Sequence, residues 1–286
     1  LRGTSTAFIT LVFLWFVLLE CSRSTEKASV ALRVVSLSPS TTEALVALGA
    51  RDTLVGRSRY CNFPPDVLSV PAVGGFVDPN FEAIVALRPD LVIGARGPAG
   101  AQVAERLRPL GTATYFPETE SLSAIDEMIL GLGTRTGHQA SAQQVVLSLD
   151  ARESRVRSAA AAFPRTRALL VFGLGPIVVA GPRSFADEMI AAAGGTNVVT
   201  EGGAYPTLGL ERVLSLDPDV IVDASMQASR EDERVTTDTP GWRELRAVKA
   251  KRVIALRDEA VLRPGPRVAE GILSLAQSIH PGLRIP

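Results

Sequence analysis

A chain of 286 residues with 46% apolar and 21% charged side chains is long enough for two domains with cores of their own, and too apolar to be disordered. Thirty basic residues balance thirty acidic ones, which leaves no general field to draw in nucleic acid or an anionic membrane. Aromatic residues make up only 5% of the chain, so each one in a predicted loop is informative.

In chain order, the first feature is Arg2 followed by an apolar run over residues 7–19, broken only by Thr10, with Cys21 close behind. A basic start and a short apolar core predict an export segment over residues 1–21, too short to span a bilayer comfortably. The end Leu18-Leu19-Glu20-Cys21 resembles the cleavage box of bacterial lipoproteins, in which Cys21 becomes the lipidated first residue. Glu20 stands where a small residue is usual. Cleavage without lipidation and retention of the segment as a membrane anchor are the alternatives, and each places the protein outside the cytoplasm. Past Cys21 the only cysteine is Cys61, so no disulfide framework is expected.

The run Val34-Val35-Ser36-Leu37 predicts a strand, and Ser38-Pro39-Ser40 breaks it. A helix is expected next, capped by Ser40 or Thr41 and complemented in its first turn by Glu43. It carries Ala44, Leu45 and Leu48 and ends at Gly49. Strand, turn and helix open an α/β domain.

Residues 81–93, FEAIVALRPDLVI, recur as LERVLSLDPDVIV over residues 210–222. Glu82 aligns with Glu211, Pro89 with Pro218 and Asp90 with Asp219. Each copy predicts a short helix, a stop at proline and a buried β-branched strand. A fainter echo precedes each copy, with Ser40 to Ala50 recurring as Ser184 to Gly195. Units 129 residues apart imply two similar lobes rather than a solenoid. Between them, residues 139–163 contain neither glycine nor proline and favour helix throughout, enough for a rod of about 37 Å. The expected division is an export segment at 1–21, a first α/β lobe at 22–137, a connecting helix at 138–163 and a second α/β lobe at 164–286.

Catalytic patterns are missing. His138 and His280 are the only histidines and are not paired at helical spacing. No Gly-x-Ser-x-Gly elbow or phosphate loop occurs, and Gly173-Leu174-Gly175 lacks the third glycine of a dinucleotide fingerprint. A two-lobed metal-cluster enzyme would need cysteines in both halves. A surface sensor would share the export segment but gives no reason for the matched glutamates. The chain is therefore not expected to be an enzyme or to hold a cofactor or a metal.

The stretches VVSLSPSTTEALVALG, VGRSRYCNFPP, VGGFVDPNFEAIVALRPD, YPTLGLERVLSLDPDVIV and LRPGPRVAEGI resemble the cobalamin-binding members of the haem, siderophore and cobalamin solute-binding proteins of ABC importers. The likeness covers residues 33–283. It implies two Rossmann-like α/β lobes joined by one long interdomain helix. A small-molecule ligand lies in the cleft between the lobes and is delivered to a permease dimer driven by a cytoplasmic ATPase. Ligands of open α/β sheets bind beyond the carboxyl ends of the strands.

On that footing Pro39, Tyr60, Phe76, Arg96, Tyr205, Asp258 and Arg263 are the expected ligand contacts. Tyr60, Phe76 and Tyr205 would cover the broad apolar face of a corrin or porphyrin, and Arg96 and Arg263 would meet its polar edge. Glu82 and Glu211 are expected to dock into the two permease subunits. Their alternative reading is charge complementarity at a helix start. Cobalamin or a related corrinoid is the expected ligand. Haem held by Tyr60, or a ferric siderophore met by Arg57, Arg59, Arg96 and Arg263, are the alternatives.

Overall fold

The computed structural model describes residues 32–225 and 241–285. The expected export segment and Cys21 lie outside the described residues. The first lobe is a parallel sheet of four strands in the order β2-β1-β3-β4, formed by β1 (Val34–Ser36), β2 (Leu54–Arg57), β3 (Leu91–Ile93) and β4 (Ala113–Tyr115). Helices α1 (Pro39–Ala47), α2 (Phe81–Ala86) and α3 (Pro98–Leu107) accompany these strands. Helix α4 (Leu122–Thr136) leads to α5 (Gln139–Ala160).

The second lobe builds on β5 (Thr166–Leu174), which pairs in parallel with β9 (Val220–Asp223), itself parallel to β10 (Val253–Ala255). Short β7 (Gly195–Asn197) pairs with the first residues of β5. Here the lobes differ, because the far end of β5 turns into antiparallel β6 (Ile177–Val179) and β8 (Thr207–Leu208). Phe172, Gly173 and Leu174 carry β5 beyond its parallel pairing with β9. Helices α6 (Phe185–Ala192), α7 (Leu210–Leu216), α8 (Arg246–Lys249) and α9 (Val268–Ile279) complete the lobe.

Strand alternation sorts the core. Val34, Leu91 and Ile93 face one side of the first sheet, while Val35 and Val92 face the other. In the second sheet Ala168, Leu170, Val220 and Val222 face inward, with Leu169, Val171 and Ile221 opposite. The inner sides of both sheets belong to one continuous apolar cluster that includes Leu149 and Val156 of α5 and Ile272 of α9. Helix α5 buries Ala142, Leu149, Val156 and Ala160, a stripe one face wide, and runs 22 residues rather than the 25 expected. Two lobes that share an apolar core resist the free hinge motion of domains joined by a polar linker.

The repeat is explained by its ends. Helices α2 and α7 end at Arg88 and Asp217, each in the left-handed region directly before proline. Asp90 then accepts from the Arg33 amide at 2.8 Å and Asp219 from the Arg167 amide at 3.4 Å. Arg33 and Arg167 donate in turn to the carbonyls of Leu87 and Leu216 at the helix ends. The Pro-Asp pair therefore stops a helix and ties the next strand to the central strand of its sheet.

Two details of α1 correct the sequence reading. Ser38, not Ser40 or Thr41, caps the helix, accepting from the Thr41 amide, and Pro39 follows at the first helical position where no donor is needed. Glu43 lies beyond the first turn and points away from it.

Candidate ligand cleft

All four strands of the first sheet are parallel, so the segments after them gather at one end of the lobe. After β1 come Ser38 and Pro39, after β2 residues 59–63, after β3 residues 95–97 and after β4 residues 116–120. The second lobe offers residues 224–225 after β9 and 256–263 after β10. Contacts between residues more than 80 positions apart bring these ends together. The Tyr205 hydroxyl donates to Glu120 Oε2 at 2.8 Å, and Arg263 Nη2 donates to Asn62 Oδ1 at 2.7 Å.

The β1–α1 turn is held from below by hydroxyls. Ser36 Oγ lies 2.8 Å from Thr41 Oγ1, and Thr42 Oγ1 donates to Ser36 Oγ at 2.8 Å and lies 3.0 Å from Cys61 Sγ. This buried network braces the turn that carries half-buried Pro39. The Cys61 thiol is buried beneath the loop, and burial raises its pKa. It is a neutral packing group turned toward α1.

Aromatic groups fare differently. Tyr60 is 53% exposed, with the Arg59 guanidinium 5.5 Å from its ring centre. Phe76 is half-buried, its ring tip lying beside Gly97, where an added Cβ would come within 3.5 Å. Tyr205 packs edge-on against Phe172 with ring centres 5.7 Å apart. Burial and the nearby Glu120 carboxylate push its hydroxyl well above the usual phenol range, so it stays a donor.

Arg59, Arg96 and Arg263 in these loops each meet a carboxylate, whereas Arg257, exposed after β10, forms no ion pair among the described residues. Arg59 meets Asp78, whose carboxyl is held below the usual range by that bond. Arg96, an exposed residue, pairs with Glu118 at 2.7 Å. Arg263 meets Glu43 at 2.8 Å and also Glu259. Buried Arg57 donates to the carbonyls of Val67, Ser58 and Leu68. Asp258 caps the turn Glu259–Leu262 through the Ala260 amide and accepts the Ser274 hydroxyl, so both carboxylate oxygens have partners in its own lobe. Of the predicted contacts, Tyr60 and Tyr205 keep exposed surface, Arg96 is exposed but paired, Pro39 and Phe76 are half-buried, and Asp258 and Arg263 are held in protein contacts.

Glu82 and Glu211 are both exposed in first helical turns, and among the described residues neither forms an ion pair. Helices α2 and α7 run back toward the start of the strands that follow them. Their N-termini, and these glutamates, therefore stand at the cleft end of each sheet. His138 contacts Thr136 at the start of α5, and His280 stacks on Phe163 at 4.9 Å. Both lie outside the cleft segments. No group of three or more metal-ligating side chains occurs among the described residues, and no described helix is long and apolar enough to cross a membrane.

The sequence-visible residues missed one group. Glu43, Asn62 and Arg267 assemble around Arg263, and the signal was the closing LRPGPRVAEGI, which places two arginines four residues apart ahead of a helix.

Residues 34–260 match the periplasmic binding protein family. An uncharacterised ABC transporter substrate-binding lipoprotein of Bacillus subtilis, YvrC, is 30% identical over 256 residues, covering 87% of this chain and 80% of that protein. The periplasmic vitamin B12-binding protein BtuF of Vibrio cholerae superposes with a TM-score of 0.74 at 28% identity, over 86% of this chain and 96% of that one. The apo periplasmic haem-binding protein RhuT of Roseiflexus gives 0.76 at 26% identity, over 88% of this chain and 98% of that one.

Proposed function

This chain belongs to the periplasmic binding protein family, and we propose that it is the extracytoplasmic solute-binding subunit of an ABC importer whose ligand is cobalamin or a related corrinoid. One observation carries the choice of ligand: exposed aromatic faces at Tyr60 and Tyr205 stand beside Arg59, Arg96 and Arg263, each of which already meets a carboxylate. A corrin offers a broad face and amide edges, which aromatic faces and paired polar groups can meet without a free charge. Haem propionates and anionic ferric chelates call for an unpaired guanidinium; Arg59, Arg96 and Arg263 each have a carboxylate, while Arg257 forms no ion pair among the described residues. Haem is the second reading, favoured by the exposed phenol of Tyr60.

Glu82 and Glu211 dock the loaded protein onto the two halves of a permease, and Cys21 or the retained export segment holds it at the membrane. The relatives are substrate-binding proteins, and the chain acts by capture and delivery. Calorimetric titration with cyanocobalamin tests the reading: one site per chain is expected, and no heat would overturn it.

A further inference from the structure

The most buried ion cluster among the described residues lies between the lobes. Glu43, on α1 of the first lobe, has a side chain only 2% exposed. Its Oε1 accepts from Arg263 Nη1 at 2.8 Å and from Arg267 Nη2 at 3.0 Å, and its Oε2 accepts from Arg267 Nε at 2.8 Å. Both arginines belong to the second lobe, 220 and 224 residues away. Arg263 reaches on to Asn62, and the Arg267 guanidinium stacks 3.9 Å above the Phe63 ring. With Glu259 beside Arg263, two guanidiniums meet two carboxylates, and the cluster is neutral. Bidentate guanidinium–carboxylate bonds fix direction as well as distance.

The backbone is equally close. A Cβ added at Gly265, between the two arginines, would lie 3.6 Å from Ser40 Cβ. Asn62 and Phe63 continue the segment that carries Tyr60, and Arg263 continues the one that begins at Asp258.

We infer that Glu43, Arg263 and Arg267 form a clasp that sets the distance between the Tyr60 and Asp258 segments, and so act as positioning residues rather than ligand contacts. The inference rests on the cleft being the binding site, but its first test needs no ligand. A cleft held at working width before the ligand arrives spares the cost of ordering two segments on binding.

Hydrogen exchange of the unliganded protein reads the clasp directly. In Glu43→Gln the amides of residues 60–63 and 258–267 are expected to exchange at least about tenfold faster than in the parent. Unchanged exchange would overturn the clasp. Should Glu43→Gln not fold, Asn62→Ala leaves every charge paired and is expected to speed exchange at residues 60–63 alone. No change there would count equally against it.

The rescue uses geometry. The 3.6 Å Cβ separation suits a disulfide, for which about 3.5–4.5 Å is usual. Ser40→Cys with Gly265→Cys, added to Glu43→Gln and oxidised, is expected to return exchange to the parental rate, and reduction to release it again. Failure to slow exchange would overturn the inference. Cyanocobalamin affinity should fall about tenfold in Glu43→Gln and recover with the crosslink. Affinity that stays low while exchange recovers would make Glu43 a direct contact and defeat the positioning role. Should the parent bind no cyanocobalamin, the ligand reading falls while the exchange results still decide the clasp.

Discussion

Arg88 and Asp217, 129 residues apart, occupy the same left-handed backbone position, with φ of 45° and 38°, one residue before the prolines that follow two repeated helices. The match extends the sequence repeat into backbone geometry. Its consequences differ, because Asp217 also accepts from the Arg246 amide at 2.9 Å and from its guanidinium, whereas the Arg88 side chain forms no hydrogen bond or ion pair among the described residues. Arg88→Gly should therefore range from neutral to stabilising by about 1 kcal/mol, strain relief offsetting the entropy glycine adds to the unfolded chain. Asp217→Gly should destabilise. Denaturant melts of the two variants check the contrast, and equal shifts would contradict it.

The matched glutamates make a prediction about transport. Glu82 and Glu211 are exposed and lack ion pairs among the described residues, so removing them costs little stability. The double variant Glu82→Ala with Glu211→Ala should bind cyanocobalamin as the parent does and fail to support uptake in cells carrying the cognate importer. Normal uptake would show that the two residues only complement their helix starts.

Acidic groups converge where α4, α5 and α6 meet. Burial, reinforced by Asp126, Asp150 and Glu188 and opposed by Arg157, raises Glu153 from 4.5 to about 7, and burial with Asp150 raises Asp126 to about 6. A carboxyl whose pKa is raised by folding contributes stability that is full below its unfolded value and is lost as pH rises through the folded value. For Glu153 that window runs from 4.5 to about 7. Glu153→Gln should melt higher than the parent at about pH 8, by about 1–2 kcal/mol after solvent screening, and the gap should close toward about pH 5. A gap independent of pH would contradict the assignment.

Neutralised arginines predict weak salt dependence. Affinity for cyanocobalamin should change by less than about threefold from low to high ionic strength, since Arg59, Arg96 and Arg263 are each already met by a carboxylate. Tyr60→Ala should weaken binding by about tenfold through lost contact area. A steep salt dependence would point instead to an unpaired cation at the cleft.

Much of this architecture was legible in the chain. The repeat at 81–93 and 210–222 announced two lobes, because Pro-Asp after a short apolar helix can only stop it and start a strand. The glycine-free run announced the long helix. The antiparallel β5–β6–β8 edge was hidden, since Phe172-Gly173-Leu174 reads as a strand ending when seen without Ile177 to Val179 opposite. The helix cap was misplaced by two or three residues because several neighbouring hydroxyls could serve, and only Pro39 decides among them. The clasp was invisible for a deeper reason: Glu43 and Arg263 lie 220 residues apart, and no local pattern records which carboxylate a distant arginine will meet. Reading Arg263 as a ligand contact followed from its loop, and the loop does not record that its guanidinium turns to Glu43 and Asn62.

The most direct test sets cyanocobalamin against hemin on the same protein, the first by calorimetry and the second by its Soret band. The account predicts tight one-to-one binding of cyanocobalamin and no Soret shift with hemin. A Soret shift that disappears in Tyr60→Ala, with no heat from cyanocobalamin, would contradict it and make the protein a haem carrier.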